Sequence, residues 1–348
     1  MKLRSILQGL ALIAGLMASL AMAQTRELVV AAWGDPYEAG WRKSLIPEFE
    51  KQNNAKVIWV QGFSSQTLAK LRAQKDNPQI DVAMMDDGPF RLASAGGLME
   101  KLDRSKISNV KDLYDIAFER GDFGIAFGLT ASGLYYSPKV FAKNNWAPPT
   151  SWLDLFRPEF KGKVLIHNIS NANGINILLA FNKIAGGDER DVERGFAKVK
   201  ELVPAVVTFD RFGETPTLLQ QEAVVIGTWN IDRVSNFRDT TGSDLQFVFP
   251  KEGAWGWKEV VGIVKGRPNQ DLAYKWIDLI LSKQQQELTA EYVGLGPVSK
   301  TAELKPNIAK NVFYGNEYVT KLNIPNWEVV NEKRAEWTER WNKEIERR

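Results

Sequence analysis

Two adjacent aspartates are the first candidates for a catalytic or ligand-binding role. Asp86 and Asp87 follow an apolar run, and paired carboxylates can act as an acid and a base or contact a ligand. A helix start is the alternative interpretation, in which one aspartate caps free backbone amides. No recognisable nucleophile or phosphate-binding loop accompanies the pair. The pair alone is therefore weak evidence for an enzyme.

The chain contains one histidine and no cysteine. His167 cannot form a multi-histidine zinc site, and beside Asn168 a lone imidazole is more typical of a structural hydrogen bond than of a base. Without cysteine there is no disulfide, thiol nucleophile, cysteine metal site or lipid anchor. We expect no enzyme activity, no cofactor and no metal site.

Strands alternate with helices in the region that must position the aspartates. Apolar runs predict strands at 27–33, 56–60 and 80–85. A helical pattern covers 37–52, and Ser64 is expected to cap the next helix. This alternation is typical of a largely parallel sheet.

Ligands gather at the carboxyl ends of the strands in such a sheet. Trp33, Asp35, Asp86 and Asp87 all fall at these ends. We therefore regard the four residues as candidates for ligand contact.

A second strand-helix series begins near Val164, and apolar segments on either side of it could cross between two lobes. The length of 348 residues and the 12 tryptophans exceed what one core usually organises. We expect an α/β clamshell with two crossover segments. Its predicted lobes are 24–130 plus 256–300 and 131–255 plus 301–348.

The N-terminal segment has the pattern of a cleavable secretory signal. Lys2 and Arg4 precede an apolar run at 6–20 and the small-residue site at 21–23. Cleavage after residue 23 removes two of the positive charges behind the formal net charge of +3, which leaves the mature chain nearly neutral. We therefore expect an exported protein with neither nucleic acid nor an anionic membrane surface as its partner.

Five stretches resemble the spermidine/putrescine-binding proteins of bacterial ABC importers. They are AAWGD at 31–35, IDVAMMDDGP at 80–89, SWLDLFRPEFKGKV at 151–164, IGTWN at 226–230 and VFPKEG at 248–253. The resemblance implies a type II periplasmic binding protein, whose two lobes close about a hinge on a small-molecule ligand. It also implies a monomer in the periplasm that delivers its ligand to membrane permease subunits.

The resemblance further implies a pocket in which aromatic rings enclose an alkyl chain and carboxylates hold ammonium groups. Trp33, Trp229 and Trp257 resemble the aromatic positions, and Glu259 resembles an ammonium-binding acid. Asp35 lies in what resembles the first ligand loop. Core packing is the alternative for Trp229 and Trp257, and Trp255 is the rival of Trp257 because strand alternation turns both to one face.

The sequence departs from this family at two places that bear on the ligand. Asn168 lies in a stretch where an acidic pair is expected, and Arg211 replaces a small polar residue. An inward-facing Arg211 would hold a carboxylate or phosphonate, which favours a zwitterion such as γ-aminobutyrate or an opine over a polyamine. A salt bridge of Arg211 with Asp210 or Glu214 is the alternative.

A ferric-iron receptor is a less favoured alternative. Tyr135 and Tyr136 are the only adjacent tyrosines, and on a strand they face opposite sides.

Overall fold

The computed structural model of the protein describes residues 25–211, 213–315, 319 and 322–346. The predicted signal at 1–23 lies outside the described residues. None of the helices in the described part of the chain combines the length and the apolar character that a membrane crossing requires.

Within the described residues, nine strands form one continuous sheet. They are β1 (Arg26–Ala32), β2 (Ala55–Gln61), β3 (Val82–Asp86), β4 (Ile125–Tyr136), β5 (Val164–His167), β6 (Val206–Asp210), β7 (Ile226–Asn230), β8 (Gln246–Val248) and β9 (Trp255–Ile263). The strand order is β2-β1-β3-β9-β4-β7-β5-β6, with β8 paired to β4. The antiparallel pair β4 and β9 thus joins two parallel sets, β1 to β3 and β5 to β7.

Helices connect and cover these strands. The α-helices are α1 (Tyr37–Lys43), α2 (Leu45–Asn53), α3 (Ser64–Ala73), α4 (Asp87–Ala95), α5 (Pro138–Lys143), α6 (Ala172–Ile184), α7 (Glu193–Leu202), α8 (Thr215–Gln220), α9 (Ile231–Thr241), α10 (Gln270–Leu281), α11 (Lys283–Tyr292), α12 (Pro306–Ala309) and α13 (Trp327–Glu344). Short 3₁₀ turns lie at Arg104–Lys106, Ser108–Asp112, Asp115–Ala117, Arg120–Asp122, Trp152–Phe156, Pro158–Phe160 and Val203–Ala205.

The helix predicted at 37–52 is two helices that meet at Ser44. A continuous helix would press the ring of Pro47 against the preceding turn, whereas a new helix from Leu45 places this proline in its first turn. The capping role predicted for Ser64 is wrong. Ser64 is the first residue of α3, and its hydroxyl accepts a hydrogen bond from the Asp86 amide at 3.0 Å.

The crossing strands β4 and β9 are buried along almost their whole length. They pair from Ile125 opposite Val261 to Ser132 opposite Trp255. Gly133 is needed at the second end of β4, because a Cβ atom there would lie 2.4 Å from the Phe247 ring. The apolar runs at each end of β4 therefore belong to one strand.

Two large hydrophobic clusters lie at opposite ends of the crossing strands. The first surrounds β1 and β3, and the second surrounds β5, α6 and the C-terminal helix α13. Val260 of β9 belongs to the first cluster, and Trp257 of the same strand belongs to the second. Phe313 packs in the first cluster although 301–348 was assigned to the second lobe. The lobe boundaries stay a prediction.

Candidate ligand-binding site

Two carboxyl groups face each other where β3 runs beside β9. Asp86 is the last residue of β3 and lies opposite Glu259, which is only 2% exposed. Burial raises the pKa of both carboxyl groups, and the charge of Asp86 adds to the rise at Glu259. The interaction between the two side chains adds to the rise in the pKa of Glu259 and opposes the rise in the pKa of Asp86, so Glu259 is the group that keeps a proton. A cation that replaced this proton would find both carboxylates in place.

Aromatic side chains line the same region from both clusters. The indole Nε1 of Trp257 donates to Glu259 Oε1 at 3.0 Å. Trp33, at the end of β1, packs against Tyr37 and Trp41 with ring centroids 5.7 and 6.4 Å apart. Trp257 therefore contacts the acid pair directly, and Trp33 lies in an aromatic group with Tyr37, whose pKa is raised by the charge of Glu259.

Asp232 links α1 to α9 and was missed by the sequence analysis. Its Oδ2 accepts a hydrogen bond of 2.5 Å from the hydroxyl of Tyr37, which belongs to the first cluster. Its Oδ1 accepts from Asn230 at 2.5 Å and from Thr130. Burial and the charge of Asp232 raise the pKa of Tyr37, so Tyr37 remains a donor. The available signal was the position of Asp232 directly after the IGTWN stretch.

Two arginines that the sequence analysis did not single out lie near the acid pair. The guanidinium carbon of Arg233 lies 4.4 Å from the centre of the Tyr37 ring, and its charge lowers the pKa of Asp86. Arg334, on α13, also lowers the pKa of Asp86, and its own pKa is lowered by burial. The region therefore carries both signs of charge.

Asp87 has other charged neighbours than those of the acid pair, although the charge of Asp86 also raises its pKa. Asp87 is fully buried, and neither carboxylate oxygen has a hydrogen-bond partner among the described residues. The charged groups around it are Lys258, Glu119 and Arg91, and Glu119 forms ion pairs with both of these cations. Burial raises the pKa of Asp87 to about 7. The structure thus separates the two adjacent aspartates.

Asp35 and Asn168 are engaged by nearby groups. Asp35 is exposed, and its Oδ1 accepts a hydrogen bond from the Ala39 amide at 3.0 Å, within the first turn of α1. Asn168 is buried; its amide nitrogen donates to Glu346, and its Oδ1 accepts from the Ser170 amide at 2.8 Å. Neither side chain makes a direct contact with the acid pair.

Arg211 is not grouped with the acid pair. It donates to Glu346 at 2.5 Å and to Asn342 at 3.0 Å, and its side chain is 39% exposed. The expected ion pair of Arg211 therefore exists, but its partner is Glu346 at the end of the chain. His167 is buried nearby, 3.9 Å from Asp210, and burial lowers its pKa to about 4.

Trp229 lies in a third, smaller hydrophobic cluster with Tyr135 and Phe237. Tyr136 packs against the second cluster instead, so the two adjacent tyrosines face different surroundings. Among the described residues, no group of three or more acidic or histidine side chains is arranged to hold a metal ion.

Comparisons of the sequence and of the structure with known proteins agree with each other. The sequence profile of the bacterial extracellular solute-binding protein family matches residues 44–314. The chain is 26% identical over 310 residues to the spermidine/putrescine-binding periplasmic protein of Escherichia coli (strain K12), which covers 84% of this chain and 82% of that protein. It is 25% identical over 294 residues to the γ-aminobutyric acid-binding protein of Pseudomonas aeruginosa, covering 81% and 80%. The crystal structure of an ABC transporter protein from Clostridium perfringens matches with a TM-score of 0.76 and 26% identity, over 91% of this chain and 99% of that chain.

Proposed function

Because the chain belongs to the bacterial extracellular solute-binding proteins, we propose that it captures an amine-bearing small molecule for an ABC importer. The predicted α/β fold of a two-lobed periplasmic binding protein is confirmed together with the family. The observation that carries the ligand proposal is the pair formed by half-buried Asp86 and buried Glu259 beside Trp257.

The acid pair suits an ammonium group for a physical reason. Two buried carboxyl groups in contact cannot both ionise without a compensating positive charge. An ammonium group supplies that charge and three hydrogen-bond donors, and the Trp33 and Trp257 rings can cover its methylene groups. A polyamine of the putrescine or spermidine type meets these requirements.

A zwitterionic amine is the second candidate, and the positions of Arg233 and Arg334 favour it. Both lie within electrostatic range of Asp86. Arg211, the residue first expected to hold an anionic group, is engaged by Glu346. A relative named as a γ-aminobutyric acid-binding protein is consistent with this second candidate.

The location, the oligomeric state and the mode of action that we propose are those expected for this family. The protein is exported to the periplasm by the segment at 1–23, works there as a monomer and performs no catalysis. Closure of the two lobes on the ligand creates the form that docks on the permease subunits. The hydrogen bond from Tyr37 to Asp232 supports closure, because it joins α1, which packs in the first cluster, to α9, which packs in the third cluster.

A thermal-shift panel tests the amine proposal. The protein would be melted with diamines, spermidine, ω-amino acids and opines, and with ferric iron and a neutral sugar as comparisons. At least one amine should raise the melting temperature of the wild type and of Glu27→Gln, a change on the exposed start of β1, but not of Glu259→Gln. Stabilisation by the sugar or iron alone would contradict the proposal.

A further inference from the structure

Arg233 occupies an unusual place for a charged residue near the start of a helix. It lies on α9, among residues of the second half of the chain, yet its guanidinium covers the Tyr37 ring from the first cluster. The preceding residue, Asp232, holds the hydroxyl of the same tyrosine. Two consecutive residues of α9 therefore contact the same tyrosine of the first cluster.

No carboxylate of the described residues forms an ion pair with Arg233, which is half-buried. Its charge nevertheless lowers the pKa of Asp86, Tyr37 and His167. Asp86 and His167 are the last residues of β3 and β5, and Tyr37 begins α1, so the charge of Arg233 acts on groups from three neighbouring elements. A half-buried guanidinium in such a position favours an anionic partner.

We propose that Arg233 binds the anionic end of the ligand while Asp86 and Glu259 hold its ammonium group, so the ligand is a small zwitterion. This inference rests on the proposed function and narrows its substrate class. Tyr37 covers one face of the guanidinium, which leaves the N–H groups at its edge available for a bidentate carboxylate. A diamine would instead bring its second ammonium group toward a positive charge.

The other two arginines fit this role less well. Arg211 is exposed and engaged by Glu346 and Asn342. Arg334 lies near Asp86 and the Trp327 ring, with its Nε buried and without a partner in the described part of the chain. Its charge therefore acts on the ammonium-binding side, where it favours the ionised form of Asp86.

Isothermal titration with two matched ligand series tests the inference. ω-Amino acids of three to six carbons would be compared with α,ω-diamines of the same chain length, in wild type, Arg233→Gln and Arg238→Gln. Arg238 lies on the same helix and pairs with Asp239 at the surface, which makes it the matched control. Arg233→Gln should weaken binding of the preferred ω-amino acid about ten- to a hundredfold, because a charge-assisted hydrogen bond is lost.

The diamine series separates the possible failures. In the expected result, wild type and Arg238→Gln prefer the ω-amino acid, and Arg233→Gln loses that preference while its diamine affinity holds or improves, which also shows that it folds. A wild-type preference for the diamine, or an unchanged ω-amino acid affinity in Arg233→Gln, overturns the inference and leaves the amine proposal standing. Failure of both series to bind overturns both.

Discussion

Replacing Asp86 or Asp87 by asparagine should affect different properties of the protein, ligand affinity in one case and stability in the other. Asp86→Asn removes a carboxylate from the acid pair and should weaken amine binding. Asp87→Asn changes a group that lies among Lys258, Glu119 and Arg91, and should leave amine affinity unchanged while it alters stability. The two variants serve as controls for each other.

The stability effect of Asp87 has a definite sign. Its pKa rises from 3.8 in the unfolded chain to about 7 in the folded protein. Between these values the folded state binds a proton that the unfolded state releases, so the free energy of unfolding falls as the pH rises. Each pKa unit corresponds to about 1.4 kcal/mol, which gives a loss of roughly 3 kcal/mol between pH 5 and pH 8.

Urea unfolding at pH 5 and pH 8 measures this effect. Asparagine does not titrate, so the stability of Asp87→Asn relative to the wild type should increase by roughly 3 kcal/mol from the lower to the higher pH. Equal stability differences at the two pH values would refute the assignment of a buried, protonated Asp87. A loss of amine binding in Asp87→Asn but not in Asp86→Asn would refute the separation of the two side chains.

Three further changes test other parts of the structure. Arg211→Gln should leave ligand affinity unchanged in a titration, because Arg211 is engaged by Glu346; abolished binding would restore it to the site. The pKa of His167 is lowered to about 4, so the free energy of unfolding should fall as the pH drops from about 6.5 to 4. His167→Asn should reduce this fall by roughly 3 kcal/mol in urea unfolding, and an unchanged pH dependence would contradict the assignment. Gly88→Ala would place a Cβ atom 2.7 Å from the Trp327 ring and should lower stability by about 1–3 kcal/mol in thermal melts, whereas Gly97→Ala, in open space but at a positive φ, gives the backbone cost alone; equal losses would contradict the Trp327 contact.

Short apolar runs predicted the strands in the first half of the chain, because β1 and β3 are largely buried and β2 is partly buried. The predicted runs at 27–33, 56–60 and 80–85 correspond to β1, β2 and β3 within a few residues. β4 could not be read as one strand, because small residues around Gly133 interrupt its apolar pattern. At Gly133 a Cβ atom would lie 2.4 Å from the Phe247 ring and 2.5 Å from the Val248 carbonyl oxygen, and these long-range contacts are not visible in the sequence.

The site was predicted where it follows the strand ends and missed where it depends on packing between distant segments. Asp86 was predicted from its place at a strand end and Glu259 from the family resemblance, but that the two meet follows from the pairing of β3 with β9. Nothing in the sequence around Arg233 distinguishes it from an exposed helix residue. Its guanidinium lies over the Tyr37 ring because of the orientation of α9 in the fold. Arg211 was singled out by its type, but the end of the chain supplies its partner.

The central claim is that Glu259, beside Asp86, releases its proton to the solvent when an ammonium group binds to the acid pair. Titration of the wild type with its preferred amine, in neutral buffers of different ionisation enthalpy, measures the protons released on binding. Because both pKa values are raised in the structure, binding should release protons to the buffer, and Glu259→Gln should weaken binding and reduce the release. An amine that binds without proton release and equally well to Glu259→Gln would contradict the account.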